Sequence, residues 1–145
     1  MIKASARLRI PFHDVDVMNI AWHGHYLKYF ELARTELMKL VNLDWPELKD
    51  NRIAMPVVEA HSHYRKAIRY DQEIEVEASI TEFSFPELII QYRILSTEGD
   101  TLSSGSTRQV YMNTEDQKTY FLVPDLVLNR LQQQILSQSE NEASR

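Results

Sequence analysis

The sequence predicts a single α+β domain in which an antiparallel sheet and one long helix share a core. Three observations predict it. Apolar residues recur at helical spacing through one long stretch, His23 to Val41. Several later stretches alternate apolar and polar residues with the period of a strand. The turns between those strands are short enough for hairpins and too short for helical crossovers. The chain has 145 residues, about one domain's worth, with 43% apolar and 26% charged residues, the composition of an ordinary globular chain able to close a core.

The elements follow in order. Ala6, Leu8 and Ile10 alternate with Arg7 and Arg9, a strand with one buried face, and Pro11 ends it. From Pro11 to Trp22 the pattern fits neither period and reads as a loop. Tyr26, Phe30, Ala33, Leu37 and Leu40 then form an apolar stripe at helical spacing. Leu27, Leu32, Met38 and Val41 widen it, which predicts a helix enclosed on more than one side.

Trp45-Pro46-Glu47 reads as a turn or short helical piece, and Met55 to Tyr64 as an extended segment. Ile74, Val76, Ala78 and Ile80 alternate with Glu73, Glu75, Glu77 and Ser79. Leu88, Ile90, Tyr92 and Ile94 do the same with Ile89, Gln91 and Arg93. Glu98-Gly99-Asp100 punctuates a hairpin. Thr101 to Asn113 continues as a strand in which Gly105 marks a bulge or a close backbone approach. Pro124-Asp125 opens a last helix carrying Leu128, Leu131 and Ile135. The domain is expected over 1–136, with 137–145 a polar, disordered tail.

Composition narrows the chemistry. Sixteen Lys and Arg against 21 Asp and Glu give a net charge of -5, which disfavours nucleic acid and anionic membrane surfaces as partners. Zero cysteines remove disulfides, thiolate metal sites and a thiol nucleophile, so chemistry here falls to oxygen or imidazole. Charges interrupt the first ten residues where a signal peptide needs an unbroken apolar run, and no stretch reaches the ~18 apolar residues of a membrane span. The expected location is cytoplasmic.

Asp14, Asp16, His23, His25, Tyr26, Glu31 and Arg34 crowd the junction between loop and helix. A helix opening near His23 presents unpaired amide hydrogens and a partial positive charge, a place to polarise a carbonyl and stabilise its oxyanion. A loop carboxylate beside it is able to attack the carbonyl carbon or to activate water. These parts suit acyl transfer.

The same residues carry a resemblance. Asp14-Val15-Asp16, His23-Gly24-His25-Tyr26 and Tyr29-Phe30-Glu31-Leu32-Ala33-Arg34 resemble the signature of the 4-hydroxybenzoyl-CoA thioesterase branch of the hotdog-fold superfamily. Met55-Pro56-Val57-Val58-Glu59 and the stretch from Tyr64 to Asp71 resemble its next two strand regions, so the likeness runs from about Arg7 to Leu131. It implies a long helix wrapped by a roughly five-stranded antiparallel sheet and a homodimer or homotetramer with sites at subunit interfaces. The implied activity is hydrolysis of acyl-CoA thioesters without metal or redox cofactor, coenzyme A entering as part of the substrate. Carried over by position, Asp16 is the catalytic carboxylate, as nucleophile or general base, and His23 supplies the amide that meets the thioester oxygen. Tyr26 and Glu31 support loop and helix. Read from the residues themselves, Trp22, Met18 and Ile20 are candidates to line an acyl pocket, against the plainer reading that they close the core.

Two departures stand out. Asn19 occupies a position where the family usually has Gly, and Asn tolerates left-handed backbone better than most residues. Phe83-Ser84-Phe85-Pro86-Glu87 lacks the basic residues that some members use for CoA phosphates. Arg65, Lys66 and Arg69 are the substitute candidates, against the plainer reading of a solvated connection. Asp16 as a turn cap and Glu31 with Arg34 as a local ion pair are likewise the plain alternatives. His23/His25 and His61/His63 invite a metal. Residues two apart on a helix point about 200° apart, which opposes the first pair; on a strand His61 and His63 face one side and a set with Glu59 is conceivable, yet no metal is expected. An acyl-carrier-protein substrate and a noncatalytic acyl-binding module are the rival functions.

Overall fold

Alternation is realised from the first residues of the computed structural model, which describes residues 1–145. Strand β1 (Ile2–Arg9) keeps Ile2, Ala4, Ala6 and Leu8 inward and Lys3, Ser5, Arg7 and Arg9 exposed. Strands β3 (Val57–Tyr64), β4 (Glu73–Ile80), β5 (Glu87–Ser96) and β6 (Thr101–Val110) complete an antiparallel sheet in the order β1-β4-β5-β6-β3, numbering β2 as the short strand Ile53–Ala54. Strand β2 pairs with β7 (Met112–Asn113), so the predicted Thr101–Asn113 strand breaks at Tyr111. The inward residues Ile74, Val76, Ala78 and Ile80 of β4 and Leu88, Ile90, Tyr92 and Ile94 of β5 are the ones that the alternation predicts, and all are buried.

Helix α1 (Tyr26–Leu40) packs on this inner face, its strongest strand neighbours being β1 and β4. Its buried side chains are Tyr26, Tyr29, Phe30, Ala33, Leu37 and Met38. The predicted stripe needs two corrections. Tyr29 is fully buried beside Phe30, whereas Leu27, Leu32 and Leu40 are about two-fifths exposed, because one sheet covers one face of a helix and these point away from it. Within the single chain α1 is therefore covered on one side and open on the other. It ends in a Schellman arrangement: the Leu43 amide donates to the Met38 carbonyl at 2.8 Å, Asn42 donates to Lys39, and Asn42 takes the left-handed φ of 57°.

One row across the sheet seats the helix. Ala4, Ala78, Tyr92, Gly105 and Ser62 lie side by side on five strands. Phe30 stacks on the Tyr92 ring with centroids 4.6 Å apart and planes 8° from parallel. A Cβ at Gly105 would lie 2.5 Å from the Phe30 ring and 2.4 Å from the His61 carbonyl oxygen. Gly105 thus serves the close approach, and the bulges fall elsewhere, between Val57 and Glu59 and between Ile94 and Leu95.

Helix α2 (Trp45–Asp50) is capped by Asp44 and tied to helix α3 (Asp125–Ala143) by Arg130 donating to Glu47 at 2.7 Å. Val127 and Leu131 of α3 are buried and Ile135 packs against the core, so Val127 replaces the predicted Leu128 on the inner face. The disordered tail expected from Ser137 is instead helical through Ala143. Exposed polar residues can continue a helix already anchored at Val127 and Leu131, and here the Ser139 and Ser144 hydroxyls donate back to carbonyls one turn earlier. No helix is long and apolar enough to cross a membrane. This is the hotdog architecture: a five-stranded antiparallel sheet against one long helix.

Candidate active site

The loop before α1 is a small closed structure. Asp14 accepts the Trp22 amide at 2.9 Å, Val15 bridges Ala21, and the Asp16 amide donates to the Ile20 carbonyl at 2.9 Å. Asn19 closes the turn with φ 61°, the left-handed backbone anticipated for it, and its amide donates to the Asp16 carbonyl at 3.0 Å. Ala21 donates to Ile68 at 2.7 Å and Ile20 bridges Arg69, fixing the loop to the segment before β4. Asp16 Oδ1 accepts the Met18 amide at 2.8 Å. The turn-capping role weighed for Asp16 is therefore realised, and it occupies one of two carboxylate oxygens.

Beyond the loop the chain makes one 3-10 turn, His23–His25, before α1 begins at Tyr26, later than the His23 start expected. The Trp22 ring covers Gly24 so closely that a Cβ there would sit 2.2 Å from it. Trp22 is about half exposed and braces this turn. The first amides of a helical turn have no acceptor within it, and the chain offers none to His23. The His23 carbonyl accepts the Tyr64 hydroxyl at 2.8 Å. Tyr64 also meets Tyr26 edge-on with centroids 4.6 Å apart. Burial first, then the neighbouring Tyr64, raises the Tyr26 hydroxyl above its usual range, so it stays protonated.

Asp16, His23, Tyr26 and Tyr64 line one crevice of about 360 Å³, with Met18, Ile20 and Ala21 as apolar wall and Arg65 and Lys66 at its edge. Arg69 is not among the lining residues; its backbone bridges Ile20 and its amide donates to Gln72. Lys66 has a loose, exposed pairing with Asp100 at 3.5 Å, which leaves it available to other anions. Glu31 pairs with Arg34 at 3.0 Å and lines a different cavity, with Met38, Leu48 and Met55. His61 and His63 sit on the outer sheet face opposite Ser106 and Ser104.

Two residues hold positions that the sequence does not announce. Tyr64 looks like the end of a strand, and only the fold brings it to the helix start. Asp14 looks like a second loop carboxylate, yet its side chain is 1% exposed and accepts Lys28 Nζ at 2.7 Å and Tyr29 Oη at 2.9 Å. Burial raises its pKa, but those two hydrogen bonds and the charges of Lys28 and His25 outweigh it and hold the carboxyl below the usual range. A folded-state pKa below the unfolded one makes this stabilisation complete above the ordinary carboxylate range. It is lost as pH falls through that range and below.

With this geometry in view, the family model described as "Thioesterase-like superfamily" matches residues 10–131. The chain belongs to the thioesterase-like superfamily. Its matched span runs from the end of β1 through the crevice residues to α3. Among relatives, a putative esterase of Aquifex aeolicus is 30% identical over 78 residues, covering 54% of this chain and 61% of the relative. An acyl-CoA thioester hydrolase of Escherichia coli O157:H7, YbgC, is 24% identical over 120 residues, 83% of this chain and 90% of the relative. Among solved structures, the DHNA-CoA thioesterase of Staphylococcus aureus superposes with a TM-score of 0.81 at 21% identity, over 100% of this chain and 97% of that one. This thioesterase-like chain thus spans less than two thirds of the Aquifex relative and nearly all of YbgC. The structural likeness extends to the whole hotdog fold.

Proposed function

We propose that this chain is a thioester hydrolase of the 4-hydroxybenzoyl-CoA type, cleaving an acyl-CoA to free acid and thiol with Asp16 as the essential carboxylate. The observation that carries the reading is one crevice lined by both Asp16 and His23, the residue that opens the 3-10 turn leading into α1. Superfamily membership and relatives named as acyl-CoA thioester hydrolases support it.

The chemistry follows from the atoms. The thioester carbonyl oxygen lies at the His23 amide, which stabilises the negative charge as the carbonyl carbon becomes tetrahedral. Asp16 either attacks that carbon directly or takes a proton from the water that does; both routes use the same oxygen and the same amide. The C–S bond then breaks and thiolate leaves. When water attacked, the proton that Asp16 took passes to the thiolate and the acid departs; when Asp16 attacked, the acyl group remains on it as a mixed anhydride, which water hydrolyses to free the acid and Asp16, and the proton released from that water goes to the thiolate. Tyr64 orients the turn by its hydrogen bond to the His23 carbonyl. Tyr64→Phe is expected to lower kcat/KM about 2- to 10-fold, the worth of one neutral hydrogen bond, in steady-state assays.

Arg65 and Lys66 are proposed to meet the CoA phosphates at the crevice edge. The turn after β4 is a poor alternative, since Glu82 is turned into it and accepts from the Phe83 and Ser84 amides. Strand β3 lies at the sheet edge with nearly every residue exposed, Val57, Val58 and Tyr64 among them. Such an edge is a template for another strand. It supports a homo-oligomer in which β3 meets its copy beside the crevice.

A thiol-release screen tests the function. Short, long and aromatic acyl-CoA esters and acyl-carrier-protein substrates are compared, and CoA esters are expected to turn over best. Tight binding of acyl-CoA without any thiol release would overturn the hydrolase reading.

A further inference from the structure

We propose that Asp14 is a positioning residue for hydrolysis: its buried carboxylate clamps the base of the Asp16 loop to the first turn of α1 and thereby sets Asp16 against the helix-start amides. The proposal rests on Asp16 as the essential carboxylate.

Asp14 does not line the crevice and is sealed from solvent, so it does not touch substrate. It touches both parts that must be held in register, the residue before the His23 turn and the start of α1. Its carbonyl receives the amide of Trp22, the residue just before His23, at 2.9 Å. Its Oδ1 receives Lys28 at 2.7 Å and its Oδ2 the Tyr29 hydroxyl at 2.9 Å, both from the start of α1. His13 and His25 face the same Oδ1 at 3.6 and 3.9 Å. Two residues along the chain stands Asp16. The Val15 bridge to Ala21 and the Asp16 amide on the Ile20 carbonyl at 2.9 Å make the loop one closed unit, so the clamp at its base orients Asp16 relative to α1.

A buried ionised carboxylate is a costly way to fill space, since an apolar residue would close the same gap without removing a charge from water. What the charge adds is direction: two charge-assisted hydrogen bonds aimed at separate oxygens fix a rotamer and a distance, which apolar contact does not. Misplacement of about 1 Å at a reacting group is enough to cost on the order of 10²-fold in rate.

The test compares Asp14→Asn, Tyr29→Phe and the double variant with the parent, reading kcat, KM, the pH-rate profile and Tm on an acyl-CoA substrate. Asp14→Asn is expected to lower kcat about 10- to 100-fold, the worth of hydrogen bonds to a charged group, with KM within about 3-fold. Tyr29→Phe should show a smaller loss of the same kind. The double variant should be no slower than the product of the single losses predicts, and slower by less if the two act as one clamp. A folded Asp14→Asn protein with parental kcat, or one changed in KM alone, overturns the proposal. Should Asp14→Asn fail to fold, Tyr29→Phe with parental kcat overturns it equally. Asp16→Asn is assayed alongside: if it hydrolyses normally the functional reading fails too, whereas an inactive Asp16→Asn beside a fully active Asp14→Asn removes only the clamp.

Discussion

Asp16→Asn is expected to lower kcat for acyl-CoA hydrolysis by about 10²- to 10⁴-fold, the usual contribution of a positioned general base. Asparagine is the informative replacement because it keeps the shape and the turn. Its side-chain oxygen still accepts the Met18 amide that Asp16 Oδ1 accepts at 2.8 Å, so the loop keeps its cap. What disappears is the negative charge and the basicity of the second oxygen. Asp16 is also partly exposed and makes no ion pair, so the variant should unfold within about 0.5 kcal/mol of the parent. The expected signature is therefore lost turnover in a protein with unchanged Tm and circular dichroism. A stable variant that retained near-parental kcat would remove the carboxylate from the reaction.

Phe30→Ala is the substitution with the largest expected effect on stability, about 3–5 kcal/mol. Phe30 is fully buried, lies flat on Tyr92 and fills the space that Gly105 leaves open on β6. The cost should fall at the high end, because the facing residue has no side chain to move into the cavity. Tyr92 is itself held, its hydroxyl bonded to Thr107 at 2.9 Å, and burial pushes that hydroxyl's pKa up to about 12. Urea denaturation reads the change as a lower midpoint at constant slope. A loss below about 1 kcal/mol would mean that α1 does not depend on this row of the sheet.

Much of the architecture was legible because it is written in short-range periodicity. The β4 and β5 alternations and the Phe30, Ala33, Leu37 face each depend only on neighbours within one element. Gly105 was legible as either a bulge or a close approach for the same reason, a glycine interrupting a strand, and the structure realises the second. The extent of helix coverage was not legible: Leu27 and Leu32 are as apolar as Leu37, and what separates them is the direction of the sheet. At the site, Asp16 and His23 were marked by the family resemblance, spacing alone favouring a turn cap for Asp16, and Asn19 was marked as a residue that tolerates the left-handed backbone it adopts. The burial of Asp14 was not legible, because it depends on Lys28 and Tyr29, fourteen and fifteen residues further on in another element. Tyr64, 41 residues beyond His23, reaches it only through the fold. Residues whose meaning lies in a partner far along the chain carry no local mark.

The most direct measurement is a crystal structure of Asp16→Asn bound to a nonhydrolysable acyl-CoA analogue. The account predicts the analogue's carbonyl oxygen about 2.7–3.1 Å from the His23 amide nitrogen, the range expected of an oxyanion donor, with the side chain of residue 16 facing the carbonyl carbon. A carbonyl oxygen held by other groups, with residue 16 turned away from the acyl carbon, would contradict it.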